Sequence, residues 1–261
     1  MISIGGTDQE DFPEMLYSFI SDTLNRKLEL IVAEKIDTIQ LRKELEQAFK
    51  HYKYYFPNKE IPEIYTCISG FNQSVFTSTD YIGISLEKYL GANFPLYTQL
   101  GIEQYMQQKM HKDMIPVDCM RAWCTGEFPY NDSVNTLLSY MIYEGKIQYF
   151  LDAMLPDVED SLKWGYSDNK FKWAQTYEQN IWDYLIEQKL LFSDKIIDIR
   201  NFTGESAFTN PFQQVSAPRA GTYIGYRIVL SYMKNNKDLP FRISYNAWHQ
   251  EGVLLYAKRK K

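Results

Sequence analysis

A carboxylate, a glycine and an amine occur together at the centre of an otherwise apolar segment, as Glu144, Gly145 and Lys146 in NTLLSYMIYEGKIQYFLDAMLPD. A glycine within a helix costs about 1 kcal/mol relative to alanine, so its presence calls for a structural reason. Glu144 shares a stripe of the predicted helix with Gln148 and Asp152, and polar stripes of this spacing usually face water. If the helix instead lines a cleft, Glu144 could act there as a general acid or base.

A second charge lies within an apolar segment, Arg227 in APRAGTYIGYRIVLSYM. Gly221 and Gly225 precede it at a spacing of four and would form a smooth surface for contact with another helix. A buried carboxylate and a buried guanidinium are each costly alone but tolerable as a hydrogen-bonded pair. We therefore predict that Glu144 and Arg227 approach each other across a cleft between the two helices.

The histidines do not form a metal site in the sequence. His51, His111 and His249 are far apart, and none has a second ligand one helical turn away. Asp113 follows His111 by two residues, a spacing that does not place two side chains on one helix face. The sequence predicts no metal and no cofactor, and it contains no P-loop, Rossmann fingerprint, EF-hand loop or nucleophile elbow.

Two further groups of reactive side chains have structural explanations. The acidic run PDVEDS follows a predicted helix end, where Asp160 suits the N-cap of the next helix better than acid-base chemistry. The cysteines Cys67, Cys119 and Cys124 are odd in number and form no CxxC pair, which argues against a disulfide framework and a zinc ribbon. We predict that all three are small buried packing residues.

The composition is that of an ordinary globular protein. Of 261 residues, 45% are hydrophobic and 23% are charged, and the net charge of -5 gives no support for a nucleic-acid partner. Aromatic residues make up 16%, an excess that either fills the core or forms contact surfaces for peptides, sugars or proteins. The basic C-terminal tail AKRKK is expected to be solvated. No signal peptide or membrane-spanning run is visible, so we expect the chain as given to be soluble.

The elements that must position these residues are mainly helices. Periodicity predicts helices over residues 12–24, 37–56, 102–111, 115–123, 134–155, 169–192 and 219–234. Between Glu63 and Leu86 the period changes to two, in EIYTCIS, SVFTST and YIGISL, which predicts a three-stranded antiparallel meander. We therefore expect an α+β fold, mainly α, with a small antiparallel β-meander, in a single domain over residues 1–261.

Two segments carry more specific expectations. Asp37 is a candidate N-cap, with Gln40 completing a possible capping box, for a helix with one apolar core face. The residues of that face are Leu41, Leu45, Ala48, Phe49 and Tyr52. The segment TGESAFTNPFQQVSAPRAG is a long loop for a compact domain, and loops of this length are often lids or binding elements.

Several of these blocks also resemble a known family. NTLLSYMIYEGKIQYFLDAMLPDVEDSLKWGYS, QNIWDYLIEQKLLFS and APRAGTYIGYRIVLSYM are similar to the GldB family of gliding-motility lipoproteins of the Bacteroidetes cell envelope. The strand segment CISGFNQSVFT…YIGISLEKYLG fits the same family. The resemblance implies a protein tethered by lipid to the envelope and associated with gliding or the related secretion machinery, with an envelope protein or peptide as its partner.

The GldB family is in turn similar to predicted zinc proteases, in which a His-Glu-x-x-His helix precedes a helix carrying Glu-Gly. MIYEGK resembles that second helix, which implies a site-facing carboxylate at Glu144. The preceding segment MHKDMIPVDCMRAWCTGEF lacks the histidine pair, so the resemblance implies a degenerate zincin-like fold without the metal. The cleft would be lined by Glu144, Lys146, Arg121, Asp118, Arg219, Tyr223 and Arg227.

Two functions follow from these observations. The first is a non-catalytic protein of the cell envelope or periplasm, which uses a degenerate protease-like cleft for binding or scaffolding. The alternative is a hydrolase of peptide or envelope glycan, metal-independent or with an unorthodox metal, in which Glu144 is the acid or base. No lipobox cysteine precedes Cys67, so we expect the signal and the lipid anchor in a longer precursor. If Met1 is the natural start, the protein is instead a cytoplasmic relative.

Overall fold

A computed structural model describes residues 6–130 and 135–237, which form a mainly helical α+β fold. This confirms the predicted fold class. The chain divides into two compact units, the first containing Met1–Lys53 and Asn58–Gly126 and the second Tyr54–Pro57 and Glu127–Lys261. A single domain over residues 1–261 stays a prediction. No helix in the described residues is long and apolar enough to cross a membrane. His249 and the basic C-terminal tail lie outside those residues.

The first unit combines helices with a small sheet. Its helices are α1 (Phe12–Ser21), α2 (Thr23–Lys35), α3 (Thr38–Tyr55, whose last residues belong to the second unit), α4 (Pro95–Gln99), α5 (Gln104–Gln107) and α6 (Ile115–Glu127). The α3 helix begins where the sequence predicts, because the Asp37 carboxylate accepts the backbone N–H groups of Ile39 and Gln40. The five residues of its predicted core face are all buried. The Gln40 side chain bonds Glu44 instead of closing a capping box.

The predicted antiparallel meander is wrong in its strand order. The strands are β1 (Glu63–Cys67), β2 (Val75–Thr77) and β3 (Tyr81–Ser85), and β3 lies between the other two. β2 and β3 form the expected antiparallel hairpin, but β1 pairs with β3 in parallel. Alternation in the sequence identifies strands but not their neighbours. After β1, the chain forms β2 at the other edge of the sheet and then returns as β3 in the middle. The sheet is therefore mixed, with one parallel and one antiparallel pair.

A buried carboxylate organises the loop that follows β1. Glu87 lies in a short 3-10 helix after β3 (Leu86–Tyr89) and is fully buried. Its Oε1 accepts the backbone N–H of Ser69 at 2.9 Å, the Ser69 hydroxyl at 2.8 Å and the backbone N–H of Phe71 at 3.0 Å. Gly70 and Phe71 both have positive φ, at 71° and 63°, and only glycine adopts that conformation without strain. The three hydrogen bonds therefore hold a strained backbone turn in place.

The second unit is built around one central helix. Its helices are α7 (Leu137–Met154), α8 (Asp160–Trp164), α9 (Asp168–Thr176), α10 (Glu178–Glu187), α11 (Ile196–Thr203) and α12 (Ala220–Asn235). The α7 helix begins at a capping box of Thr136 and Ser139. Twelve of its 18 residues are buried, so it is an interior helix, as its apolar sequence indicates.

Helix boundaries differ from the prediction in several places. The predicted helix over residues 169–192 is interrupted at Tyr177, which separates α9 from α10 and whose ring stacks on Trp173 with centroids 5.1 Å apart. The predicted helix over residues 102–111 shortens to α5. The short helices α4, α8 and α11 were not predicted, because five to eight residues are too few to establish a 3.6-residue period. The predicted helix over residues 12–24 ends at Ser21, and the 13-residue α2 that follows was missed, because only Leu28 and Val32 of it are buried and its apolar face is narrow.

Candidate functional site

The glycine at the centre of α7 allows two helices to cross with their backbones in contact. A Cβ atom added to Gly145 would lie 2.4 Å from the carbonyl carbon of Gly225 on α12. A Cβ atom added to Gly225 would lie 1.7 Å from the carbonyl oxygen of Met141. Neither distance is physically possible, so only glycine fits at either position. Gly145 is therefore explained by helix packing, and a ligand is not needed to account for it.

The stripe of α7 that carries Glu144 does not simply face water, contrary to the expectation for a polar stripe. Glu144 is half-buried and Gln148 is fully buried. Lys146, the other charge at the centre of the helix, is only 6% exposed. Burial lowers the pKa of Lys146 from 10.5 to about 8. The charged centre of α7 thus lies in the interior of the fold.

Arg219 is a framework residue at the start of α12. It has a φ of 52°, although it is not a glycine, and it is 6% exposed. Its Nη2 donates to the backbone oxygen of Trp164 at 2.6 Å, and its Nη1 lies 3.3 Å from Oε1 of Glu205. These contacts hold the strained backbone of Arg219 against the last residue of α8 and the loop that follows α11.

Arg227 pairs with Glu178, the first residue of α10. Glu178 was not identified from the sequence. Nε of Arg227 lies 3.0 Å from Oε2 of Glu178, and the two side chains are 26% and 10% exposed. The N–H does not point along this contact, so it is an ion pair without an aligned hydrogen bond. Glu178 is therefore a carboxylate partner of Arg227 in the structure, and the approach of Glu144 to Arg227 stays a prediction. Burial raises the pKa of the neighbouring Tyr223 to about 12.

A second polar cluster joins α7, α8 and α12. Nζ of Lys163, whose side chain is 5% exposed, lies 2.8 Å from Asp152 and 2.9 Å from Asp160. The Tyr226 hydroxyl donates a short hydrogen bond to the other oxygen of Asp152. Burial lowers the pKa of Lys163, but the hydrogen bonds and charges of the two carboxylates outweigh it, so the pKa is raised overall. The prediction that Asp160 is the N-cap of α8 is wrong, because Glu159 occupies the N-cap position, without a capping hydrogen bond from its side chain, and Asp160 is the first residue of the helix. Asp160 pairs with Lys163 instead.

The long loop between α11 and α12 is tied to the framework. Thr209 is fully buried, accepts the backbone N–H of Ala220 at 2.9 Å and donates to the backbone oxygen of Ala217 at 2.8 Å. The Lys170 ammonium donates to the backbone oxygens of Gln214 and Ser216. A side chain from within the loop thus caps α12, a role that the sequence pattern of a lid did not indicate.

A groove of about 570 Å³ lies in the first unit, between α3 and β1. Its apolar lining comes from both elements, and its members are Leu41, Leu45, Phe49, Ile61, Pro62 and Ile64. Ile61 and Ile64 are 47% and 36% exposed, which is unusual for isoleucine in a folded protein. Concave apolar surfaces of this size are typical of ligand-binding sites.

Three charged side chains of α3 also line this groove, at spacings of four residues. Arg42 Nε lies 2.8 Å from Oε1 of Glu46. Lys50 is close enough for its charge to contribute to the lowered pKa of Glu46, which results first from the hydrogen bond with Arg42. Two cations and one carboxylate therefore line the groove, and its charged lining carries a net positive charge.

The comparisons with known proteins place the chain in a family. The family model described as gliding motility protein GldB matches residues 1–243. The chain belongs to the GldB family. This membership confirms the resemblance found in the sequence and identifies a gliding-motility-associated protein of the cell envelope. No curated protein matches, and no solved structure matches. The relationship to zincins and the origin in Bacteroidetes stay predictions.

The residues that would correspond to a protease-like cleft in a GldB protein are distributed over both compact units. Asp118 and Arg121 lie on α6 in the first unit, where the buried Tyr89 hydroxyl donates to Asp118 at 2.8 Å. Burial first, and then the charge of Asp118, raises the pKa of Tyr89 well above its usual value. The other predicted lining residues belong to the second unit. A cleft shared by all seven therefore stays a prediction.

The histidine and cysteine side chains within the described residues have local partners or local packing. His111 Nδ1 lies 3.2 Å from Asp113, although the two do not share a helix face, because His111 has an extended backbone and precedes a 3-10 helix. His51 contacts Gln47 one helical turn away. Cys119 and Cys124 are buried as predicted, whereas Cys67 is half-buried on β1. Within residues 6–130 and 135–237, no three His, Cys, Asp or Glu side chains form a potential metal site.

Proposed function

We propose that this GldB protein is a non-catalytic binding component of the gliding-associated envelope machinery, held to the membrane by a lipid anchor and working in the periplasm. Its partner would be an envelope protein or peptide. We further propose that the partner binds in the groove between α3 and β1. The degenerate protease-like cleft predicted from the sequence would then serve as framework.

The groove is the observation that carries this proposal. It has a volume of about 570 Å³ and exposes Ile61 and Ile64 beside a basic rim. The crossing of α7 and α12 offers a contrast, because its two glycines leave no space between the backbones. Arg219 and Arg227 are already engaged with Glu205 and Glu178. These contacts support a framework role for the region around Glu144.

Complementation of a deletion strain, with gliding scored on agar, tests the proposal. Ile64→Arg places a charge in the groove and should abolish gliding at normal protein abundance and an unchanged unfolding midpoint. Leu30→Arg, on α2 of the same unit, is the matched control, because Leu30 is 73% exposed and does not line the groove. We expect the strain that carries Leu30→Arg to glide normally. Normal gliding of the Ile64→Arg strain would contradict the proposal.

Glu144→Gln separates binding from hydrolysis in the same assay. A carboxylate that acts as an acid or base cannot be replaced by an amide, so a hydrolase would lose function. We expect gliding to continue, provided that the variant accumulates normally. Loss of gliding with an intact fold would instead support the hydrolase alternative.

The lipid anchor is tested separately. The protein expressed from its natural gene should be labelled by radioactive palmitate and recovered with membranes. A protein that stays unlabelled in the cytosolic fraction would contradict both the anchor and the periplasmic location.

A further inference from the structure

The outer edge of β1 runs along the groove between α3 and β1, and no strand in residues 6–130 and 135–237 pairs with it. We propose that this edge binds an extended peptide segment, which adds to the sheet as a fourth strand next to β1. This inference rests on the proposed function, since it specifies how the groove would hold its partner. The ligand class is a segment of about five residues that alternates apolar side chains and carries an acidic residue.

The register of the sheet identifies the free backbone groups. The backbone N–H of Glu63 donates to Asp80, at the start of the parallel pairing between β1 and β3. In a parallel ladder, residues of one strand bond alternately to one side and the other. The N–H and C=O groups of Ile64 and Thr66 therefore point away from β3. In the described part of the chain, no strand pairs with this edge.

The side chains indicate that the surface of α3 continues past β1, the edge strand of the sheet. Ile64 lies beside Ile82 in the register, and Thr66 lies beside Ile84. Ile82 and Ile84 are fully buried, whereas Ile64 is 36% exposed and lines the groove with residues of α3. A strand added beyond β1 would continue both rows and place its inward side chains against Ile64 and the α3 surface.

The dimensions of the two walls agree with one short strand. β1 has five residues and spans about 17 Å. The lining residues of α3 extend from Thr38 to Lys50, a length of about 18 Å along a helix. A peptide of five paired residues would occupy the groove from end to end.

The charge of the lining selects the chemistry of the peptide. Arg42 and Lys50 line the groove with a single carboxylate, Glu46, which pairs with Arg42, so an acidic side chain in the peptide would gain an attractive partner. A basic side chain at the same position of the peptide would be repelled by Arg42 and Lys50. The strand also lacks the lysines, prolines and bulges with which proteins usually protect an exposed edge. Its only charge, Glu63, accepts a hydrogen bond from Tyr65 on the opposite face.

A random heptapeptide library displayed on phage, selected against the purified protein, tests the inference. We expect enriched sequences in which apolar residues alternate and an aspartate or glutamate recurs. The best peptide is then synthesised with N-methyl groups either on the amides that face β1 or on the intervening amides. Methylation facing β1 should weaken binding at least tenfold, whereas the intervening set should bind as the parent does. Equal binding of both sets, or no enrichment, would overturn strand addition.

Variants of the protein provide a second readout. Thr66→Pro removes an outward N–H without touching the ladder to β3, and it should weaken peptide binding at least tenfold at an unchanged unfolding midpoint. Lys50→Glu should weaken the binding of the acidic peptide. It should strengthen the binding of a peptide in which lysine replaces the acidic residue. A dimer in light scattering that Thr66→Pro disrupts would assign the edge to a second copy and overturn the peptide proposal. If the peptide experiments fail but Ile64→Arg still abolishes gliding, the proposed function stands without strand addition.

Discussion

At the scale of single residues, Gly145 and Gly225 are determined by the distance between two helix backbones. A side chain at either position would need the helices to separate, and overpacking of a buried interface usually costs about 1–3 kcal/mol. The charges that flank Gly145 first suggested a reactive site. Their setting is an interior helix in which packing alone accounts for the glycine.

We predict that Gly225→Ala lowers the free energy of unfolding by about 3 kcal/mol or more, because its Cβ would lie 1.7 Å from the carbonyl oxygen of Met141. Urea denaturation followed by circular dichroism measures the effect. Gly126→Ala is the matched control, since Gly126 lies exposed at the end of α6 and a Cβ there would be 3.3 Å from a threonine hydroxyl. That change should be neutral or slightly stabilising. An equal loss in both variants would contradict the packing explanation.

Glu87 provides a prediction about buried hydrogen bonds. Glu87→Ala removes the acceptor of three hydrogen bonds and leaves the backbone N–H groups of Ser69 and Phe71 unpaired. Each buried unpaired group costs about 1–3 kcal/mol, so we expect a loss of about 3 kcal/mol in unfolding free energy. Glu87→Gln keeps one acceptor oxygen and should lose less. Faster amide exchange at Ser69 and Phe71 in the alanine variant would identify the cause, and unchanged exchange would contradict it.

Lys146 provides a prediction about pH. Its pKa is lowered to about 8 in the folded protein, so between pH 8 and about 10.5 the unfolded chain binds more protons than the folded one. Stability contributed by Lys146 should therefore rise with pH across this window, by at most about 1.4 kcal/mol per pH unit. The raised pKa of buried tyrosines such as Tyr223 acts in the opposite direction above about pH 10.

The difference between the wild type and Lys146→Met isolates this effect, because the tyrosines are common to both proteins. We expect the unfolding free energy of the wild type to increase relative to that of the variant from pH 8 to pH 10. Urea titrations at half-unit pH steps measure it. Parallel curves for the two proteins would show that Lys146 has its ordinary pKa.

At the scale of elements, buried ion pairs connect helices that are distant in sequence. Arg227 on α12 meets Glu178 on α10, and Lys163 on α8 meets Asp152 on α7. Such pairs offset the cost of taking charges out of water, but removal of one partner leaves the other uncompensated. The polar residues of the second unit thus fix which helices lie next to each other.

We predict that Arg227→Met costs about 3 kcal/mol of unfolding free energy, because it removes the guanidinium that lies 3.0 Å from the buried carboxylate of Glu178. Glu178→Gln should cost a similar amount. The double variant should be more stable than the sum of the two losses implies, by at least 1 kcal/mol, a typical coupling energy for residues in contact. A thermodynamic cycle from urea denaturation provides the measurement, and strictly additive losses would indicate that the pair is not coupled.

At the scale of the whole molecule, two compact units each have their own buried residues. Leu45, Ile82 and Met120 belong to the first unit, and Met141, Ile142 and Ile224 belong to the second. A core of its own allows a unit to open separately, in which case a local change need not spread through the chain.

We predict that Glu87→Ala accelerates amide hydrogen exchange chiefly in the first unit and that Gly225→Ala does so chiefly in the second. Mass spectrometry of peptic fragments across residues 6–130 and 135–237 measures both variants against the wild type. A uniform acceleration across both units in either variant would instead favour the single cooperative domain expected from the sequence.

The sequence by itself determined the helical majority, the core face of α3 and the presence of three strands, because periodicity depends only on which residues must avoid water. The family was recognisable from long blocks in a fixed order, which the match over residues 1–243 confirms. The sequence also indicated that Gly145 needed an explanation, since glycine is unfavourable within a helix.

Only the tertiary structure decided what those residues contact. Glu178 became the partner of Arg227, β1 became a parallel edge strand, and Glu87 became the buried acceptor that holds the loop after β1. Each involves a pairing between distant segments, and sequence periodicity describes one segment at a time. The groove arises in the same way, because it lies between α3 and β1, which is at the edge of the sheet. The sequences of the three strands do not encode that order.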